Sequence, residues 1–270
     1  MRRQVASAVL IGCAAACATI STQQEVQMGQ QYSQQINQQL PIIQDAEVNQ
    51  YINVLGDSIA KVNDTRNLQW HFYVVDTKEV NAFAVPGGYI YVNRGLIEQT
   101  DKMDQLAGVL GHEIGHVLRR HTVKLMEKEN AANVGVQLGC ILTKVCNNAA
   151  AGAAINVAGT AVFAKFSRQD ETEADESGVQ NVTRAGIDPR GMPEMFQKLL
   201  DERTSAPSTV DAWFATHPTE ESRIADTDAM IKKIDPVVLN SLTQDTPNFH
   251  TFKQRLQSLP PSPPPTQPGN

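Results

Sequence analysis

His112 and His116 lie four residues apart, with Glu113 beside the first, in a stretch from 101 to 128 that contains no proline. Met103, Leu106, Ala107, Leu110, Ile114 and Val117 recur there at helical spacing, and Asp101 and Asp104 stand where a first turn favours acids. The stretch is therefore expected to be one helix with the His-Glu-x-x-His run deep inside it. On a helix an i, i+4 pair shares one face about one turn apart, so both imidazoles reach a common point and Glu113 leans to the same side. Two ring nitrogens and a carboxylate so placed suit two ligands of a metal ion and a base beside it. Leu110, Ile114 and Val117 flank the histidines and argue for a buried face over a solvated one. His121 follows five residues after His116, off that face, so hydrogen bonding or solvation suits it better than metal binding.

A catalytic zinc site takes three protein ligands and keeps one position open. The stretch 166–175 holds Glu171 and Asp175 four apart, on one face of a helix, with Glu173 pointing the other way. With Glu171 on the metal, Asp175 would stand one turn on, able to accept the free N–H of a ligating histidine and fix its tautomer. A solvated acidic face is the competing reading of these residues.

Gly-His-Glu-Ile-Gly-His at 111–116, followed by Ser-Arg-x-x-Glu-x-Glu-Ala-Asp at 167–175, resembles the gluzincin metallopeptidases of the HtpX and CAAX-prenyl-protease type, specifically their periplasmic BepA/LoiP-like branch. Segments 81–92 and 216–224 resemble that branch before and after the two metal-binding helices, so four motifs stand in the family's order. The resemblance implies one zinc ion per chain held by His112, His116 and Glu171, with Glu113 as general base and Asp175 behind a ligating histidine. It also implies that His217 lies near the metal, either occupying the open position or stabilising the reacting oxyanion. Apart from the resemblance, Arg223 is a candidate to share that oxyanion charge. Read without the family, Pro218, Glu220 and Glu221 mark a helix start that would leave His217 a cap or loop residue.

The rest of the chain is consistent with an α+β fold, a mostly helical zincin peptidase domain with a small sheet beside the metal helix. Residues 23–39 are rich in glutamine, but Met28, Tyr32, Ile36 and Leu40 recur every four residues, which predicts an amphipathic helix. A second helix runs through Val48, Tyr51, Ile52, Leu55, Ile59 and Val62. Residues 68–75 read as a strand, and 80–85 with 89–93 as a hairpin around Pro86-Gly87-Gly88. The family resemblance implies that a substrate is held as an added strand on a sheet edge beside the metal, which the segment 80–92, with Asn81, Ala82, Phe83 and Ala84, is expected to supply, an ordinary interior hairpin being the alternative. After Asp175 a helix is expected to end near Gly186, another to start near Pro193, and a third to cover roughly 219–234.

Arg2 and Arg3 followed by an apolar run from Val5 to Ala16 read as a secretory signal, too short for a permanent membrane span. Cys17, or else Cys13, is a candidate for lipidation after processing of a lipoprotein signal, and cleavage without lipid is the alternative. With Cys17 processed, Cys140 and Cys146 remain as an even pair, able to bridge through a loop or to stay as buried thiols. The uncharged run 149–164 suits close helix packing, with a lid or membrane-touching hairpin as the alternative. Three parts are thus expected: a signal over 1–17, a metallopeptidase domain over 22–235, and a C-terminal extension over 236–270 ending in a Pro-rich disordered tail, with both ends dispensable for folding.

The 270 residues and 41% hydrophobic content allow one sizeable core. A net charge of −6 and 6% aromatic residues argue against nucleic acid as a partner. The resemblance implies a zinc-dependent endopeptidase of the bacterial periplasm, anchored to the outer membrane if lipidated, acting on unfolded or misassembled envelope proteins. The alternative is a zinc-stabilised chaperone or assembly factor for outer-membrane proteins that cuts little.

Overall fold

Ser21 and Asp45 open the first two helices: each side chain accepts a backbone N–H three residues on, and Ser21 pairs with Gln24 in a capping box. The structure is a computed structural model describing residues 19–130, 166–205, 207–217 and 221–263. Helices α1 (Thr22–Gln39) and α2 (Ala46–Ala60) precede strand β1 (His71–Val75) and a hairpin of β2 (Ala82–Val85) and β3 (Tyr89–Asn93). Gly87 and Gly88 take φ of 82° and 102° in its turn, a region glycine adopts without steric cost. The sheet runs in the order β1-β3-β2, with β3 parallel to β1 and antiparallel to β2. β2 is therefore an outer strand, and no fourth strand pairs with it among the described residues.

Helices α3 (Arg94–Gln99), α4 (Met103–Leu118) and α5 (His121–Asn130) follow. Every residue of α4 from Met103 to Val117 is buried, so the helix is a central rod enclosed on all sides. α2 and β2 pack on one side of it, α6 (Arg168–Arg184) and α7 (Gly191–Ser205) on the other. The expected single helix over 101–128 breaks after Leu118, because Arg120 takes a left-handed φ of 59°. The histidine motif thus ends in the last turn of α4 rather than deep inside a longer helix.

The buried row of α1 also differs from the expected one. Glu25, Gly29, Ser33 and Ile36 are buried, while Met28, Tyr32 and Leu40 are only half-buried. The reason is a polar docking surface. The Tyr91 hydroxyl lies 2.9 Å from Ser33 Oγ and donates to Asn37 Oδ1 at 3.0 Å, and the Glu25 carboxylate accepts from Arg66 and Arg120, each at 2.8 Å. Helix α1 also approaches the hairpin turn so closely that a Cβ on Gly29 would lie 1.9 Å from the Pro86 carbonyl oxygen.

Helices α8 (Pro207–Thr216), α9 (Glu221–Ile231), α10 (Pro236–Ser241) and α11 (Pro247–Ser258) complete the described chain. Phe249, Phe252 and Leu256 of α11 are buried in the same cluster as Ile52 and Leu106, with Tyr51 stacked on Phe252 at 4.4 Å. The segment after 235 is thus part of the core, contrary to the expectation that it could be dispensed with. Burying a large apolar side chain contributes about 1.5–3 kcal/mol, so three of them outweigh any ordinary surface effect. No helix among the described residues is long and apolar enough to cross a membrane. The expected signal with Cys13 and Cys17, the pair Cys140 and Cys146, the run 149–164 and, beyond residue 263, the disordered tail expected from Pro260 lie outside the described residues, while the start of that tail is held by Arg94 donating to the Pro260 carbonyl and Ser262 to Asp76.

Candidate metal centre

α4 and α6 supply three of the four ligand-type side chains, and glycines set their separation. A Cβ on Gly115 would lie 2.7 Å from the Ala174 carbonyl oxygen, and one on Gly178 3.0 Å from the His112 nitrogen. Helices this close bring the first turn of α6 to the histidines. Ser167 caps that helix by accepting the Asp170 N–H at 3.2 Å, which places Glu171 near its N-terminus, where the helix dipole favours a carboxylate.

His112 Nε2 and His116 Nε2 are 3.0 Å apart. Glu171 faces both, with Oε1 3.4 Å from His116 Nε2 and Oε2 3.7 Å from His112 Nε2. His217, just beyond α8, places Nδ1 3.3 Å from His112 Nε2 and 3.3 Å from Glu171 Oε1. One ligand-type atom from each of the four residues lies within 4.8 Å of the others, and all four side chains are buried. Glu113 is buried beside them, its Oε1 3.4 Å from His217 Nε2. Asp175 lies behind His112, whose Nδ1–H it accepts at 2.8 Å. The structure thus brings together His112, Glu113, His116, Glu171, Asp175 and His217.

Arg223, on α9, holds the two acidic residues. It donates from Nε and Nη2 to the two oxygens of Asp175 at 2.8 and 2.7 Å, and from Nη1 to Glu171 Oε2 at 2.5 Å. Its guanidinium also lies 4.8 Å over the Phe196 ring. These contacts tie it to both carboxylates of the cluster. Phe166 packs on the His116 ring at 4.1 Å and Trp213 on the His217 ring at 4.7 Å, closing the site with apolar surface.

Burial dominates the electrostatics. It pushes the His116 imidazole well below its usual range, which keeps the neutral, ligating form. It raises the Glu113 carboxyl, only partly opposed by His217 and His112, as suits a proton acceptor. Burial would raise Glu171 too, but the His217 charge and hydrogen bonds from His116 and His217 outweigh it and hold that carboxyl well below the usual range. Asp175 is lowered against its own burial by the His112 bond and by Arg223. His217 is raised against its burial by the charges of Glu113 and Glu171.

The residues fit a zinc ion. Both oxygens of Glu113 are buried and accept no hydrogen bond among the described residues, so a buried carboxylate faces the cluster unsatisfied. Imidazole nitrogens with one carboxylate oxygen are a zinc donor set. The expected edge residues Asn81, Ala82, Phe83 and Ala84 lie in and just before the outer strand β2, which packs on α4, with all four side chains buried.

Of the two readings of His121 the structure shows hydrogen bonding, but its burial and its partners, and the role of Glu25, escaped the sequence reading. His121 is buried, with Nδ1 3.0 Å from His116 Nδ1, and Glu173, though turned from the cluster, lies 3.3 Å from His121 Nε2. The Glu25 docking point joins α1 to the end of α4 through Arg66, which donates to the Val117 carbonyl at 2.7 Å. Only the burial of His121 had a local signal, namely its place just after the largely apolar run Ile114 to Leu118.

A central helix carrying the histidine pair, a second helix crossing it with the glutamate, and a small sheet alongside define a helical zincin-type peptidase domain. Residues 46–231 match peptidase family M48, and the chain belongs to that family. It is 36% identical over 250 residues to the "Beta-barrel assembly-enhancing protease" of Escherichia coli K12, covering 89% of this chain and 50% of that protein. It is 38% identical over 219 residues to the Yersinia pestis protein of that name, covering 77% of this chain and 44% of the relative. Similarity extends to the zebrafish "Metalloendopeptidase OMA1, mitochondrial", 27% identical over 191 residues, 68% of this chain and 40% of that protein. The chain thus spans about half the length of the Escherichia coli relative it matches.

Proposed function

We propose that this chain is a zinc-dependent endopeptidase in which His112, His116 and Glu171 hold the ion and Glu113 is the general base. The single observation that carries this is the convergence of those three ligand-type groups with the unsatisfied, buried Glu113 carboxylate beside them. When bound there, zinc supplies Lewis acidity, which makes a water acidic and a peptide carbonyl electrophilic. Glu113 takes the proton of the attacking water and delivers it to the leaving amine, and burial has already raised its proton affinity toward that task. Asp175 fixes His112 with Nδ1 protonated, and Arg223 fixes both Asp175 and Glu171. β2, outermost in the sheet and packed on α4, is the strand proposed to align an extended substrate beside the site through main-chain hydrogen bonds, a mode that demands little sequence.

His217 sets the resting state. Its Nδ1 lies 3.3 Å from Glu171 Oε1 and 3.3 Å from His112 Nε2, so with zinc bound the histidine would be able to take the position a catalytic zinc site keeps open. Substrate cleavage then requires His217 to withdraw. The same observation favours a second reading, a zinc-stabilised binding factor for outer-membrane proteins that seldom cuts, because a resting site closed in this way holds clients without hydrolysing them.

The relatives' name, beta-barrel assembly-enhancing protease, supports a role in quality control of misassembled envelope proteins. The location proposed with it is the periplasm, with an outer-membrane anchor through Cys17 or Cys13. Cleavage of casein by the purified protein, lost on chelation and restored by zinc, would support the peptidase reading. Casein left intact by the protein carrying one zinc per chain would favour the binding factor.

A further inference from the structure

His116 directs Nε2 at the ligand cluster, 3.4 Å from Glu171 Oε1. A ligating Nε2 uses its lone pair, so the ring proton must sit on Nδ1. At His112 the corresponding Nδ1–H goes to the carboxylate of Asp175. At His116, Nδ1 lies 3.0 Å from Nδ1 of His121 instead. Two nitrogens at that distance form a hydrogen bond only if one carries the proton and the other offers its lone pair. With His116 as donor, His121 is the acceptor, and its own proton must be on Nε2, 3.3 Å from Glu173 Oε2 and 3.8 Å from Asp170 Oδ1.

We propose that His121 is a positioning residue for His116: a His116–His121–Glu173 chain that orients one metal ligand, as Asp175 and Arg223 orient the other two. The proposal rests on the metal reading above. It has a second support in how the backbone is shaped. In an unbroken helix, residue 121 would lie roughly 140° around the axis from 116, facing elsewhere. The left-handed Arg120 ends α4 and restarts the chain as α5 with His121 as its first residue, and that returns the imidazole to His116. A non-glycine residue is costly in this conformation, and here it is held from outside: Arg120 Nε donates at 2.8 Å to Glu25, which Arg66 also grips while bonding the Val117 carbonyl. The N-terminal helix thereby holds the turn that places His121. Phe166 packs on the His116 ring at 4.1 Å, so the ring is restrained on its face as well as at Nδ1.

The test is zinc affinity by chelator competition for the wild-type chain, His121→Phe and Glu173→Ala, with thermal unfolding of each metal-free protein in parallel. His121→Phe keeps a ring in the buried space but offers no acceptor. It should bind zinc about 10- to 100-fold more weakly, the usual loss when a partner behind a ligating histidine is removed. Glu173→Ala, at a half-buried position, should weaken binding several-fold with metal-free unfolding close to wild type. Wild-type affinity in a folded His121→Phe would overturn the proposal, and should that variant not fold, wild-type affinity in Glu173→Ala would do so. A wild-type chain that binds no zinc would instead remove the metal reading and this proposal with it, an outcome visible before any variant is measured.

Discussion

His217 Nε2 stands 3.4 Å from Glu113 Oε1, while Nδ1 of the same ring is 3.3 Å from Glu171. One imidazole thus spans the base and the third ligand, and Trp213 backs its ring. If this is the resting state, His217→Ala opens the site. Casein cleavage should then rise several-fold at unchanged zinc content. A fall of about 100-fold would instead mean that His217 stabilises the oxyanion and that the resting plug is wrong.

Arg223 grips Asp175 with two donors and Glu171 with a third, a forked geometry an ammonium cannot reproduce. Arg223→Lys keeps the charge but loses at least one carboxylate. Zinc should bind about 10-fold more weakly and cleavage should fall with it. Zinc affinity equal to wild type would show that the carboxylates are held without the fork.

Asp104 was expected to be a favourable acid in the first turn of α4, yet it is buried and neither oxygen accepts a hydrogen bond among the described residues. Burial, with the charges of Glu194 and Asp188, raises its carboxyl to about 7 against the pull of Lys102. The unfolded value is about 3.9, so the folded state holds this proton more tightly. The group's stabilising contribution is complete below about pH 4 and is lost as the pH rises through about 7. Asp104→Asn should therefore exceed wild type in stability by on the order of 4 kcal/mol near pH 8, with the gap closing toward pH 4. A gap that widens on acidification would refute the assignment.

Ending the chain at residue 235 removes Phe249, Phe252 and Leu256 from the core. At about 2 kcal/mol for each buried side chain, the loss approaches the whole stability of an ordinary domain, roughly 5–15 kcal/mol. The shortened protein should be unfolded, or melt at least ten degrees lower, by circular dichroism. Melting like the full chain would mean that α11 packs without contributing.

What the sequence made legible was local or repeated. The His112 and His116 face follows from a four-residue spacing, and the hairpin from Pro86-Gly87-Gly88 between two β-rich runs. Glu171 needed more, since its acidic cluster alone could have been a solvated face, and only the downstream pattern singled it out. The break at Arg120 was not legible. No glycine marks it, and its support is Glu25, 95 residues away in sequence. The row Glu25, Gly29 and Ser33 was overlooked for a related reason: its partners Arg66, Arg120, and Pro86 with Tyr91 come from three distant segments, so hydropathy pointed to the neighbouring row. The C-terminal helices carried signals that were available, Asp235 before Pro236 and Thr246 before Pro247, each a cap followed by proline at a helix start.

The most direct test of the central claim is Glu113→Gln, assayed for bound zinc and for casein cleavage beside the wild type. Glu113 is assigned as a base rather than a ligand, so the variant should keep one zinc per chain and the wild-type fold while cleavage falls by a factor on the order of 100 or more. A zinc-loaded Glu113→Gln that cleaves casein at the wild-type rate would contradict the account.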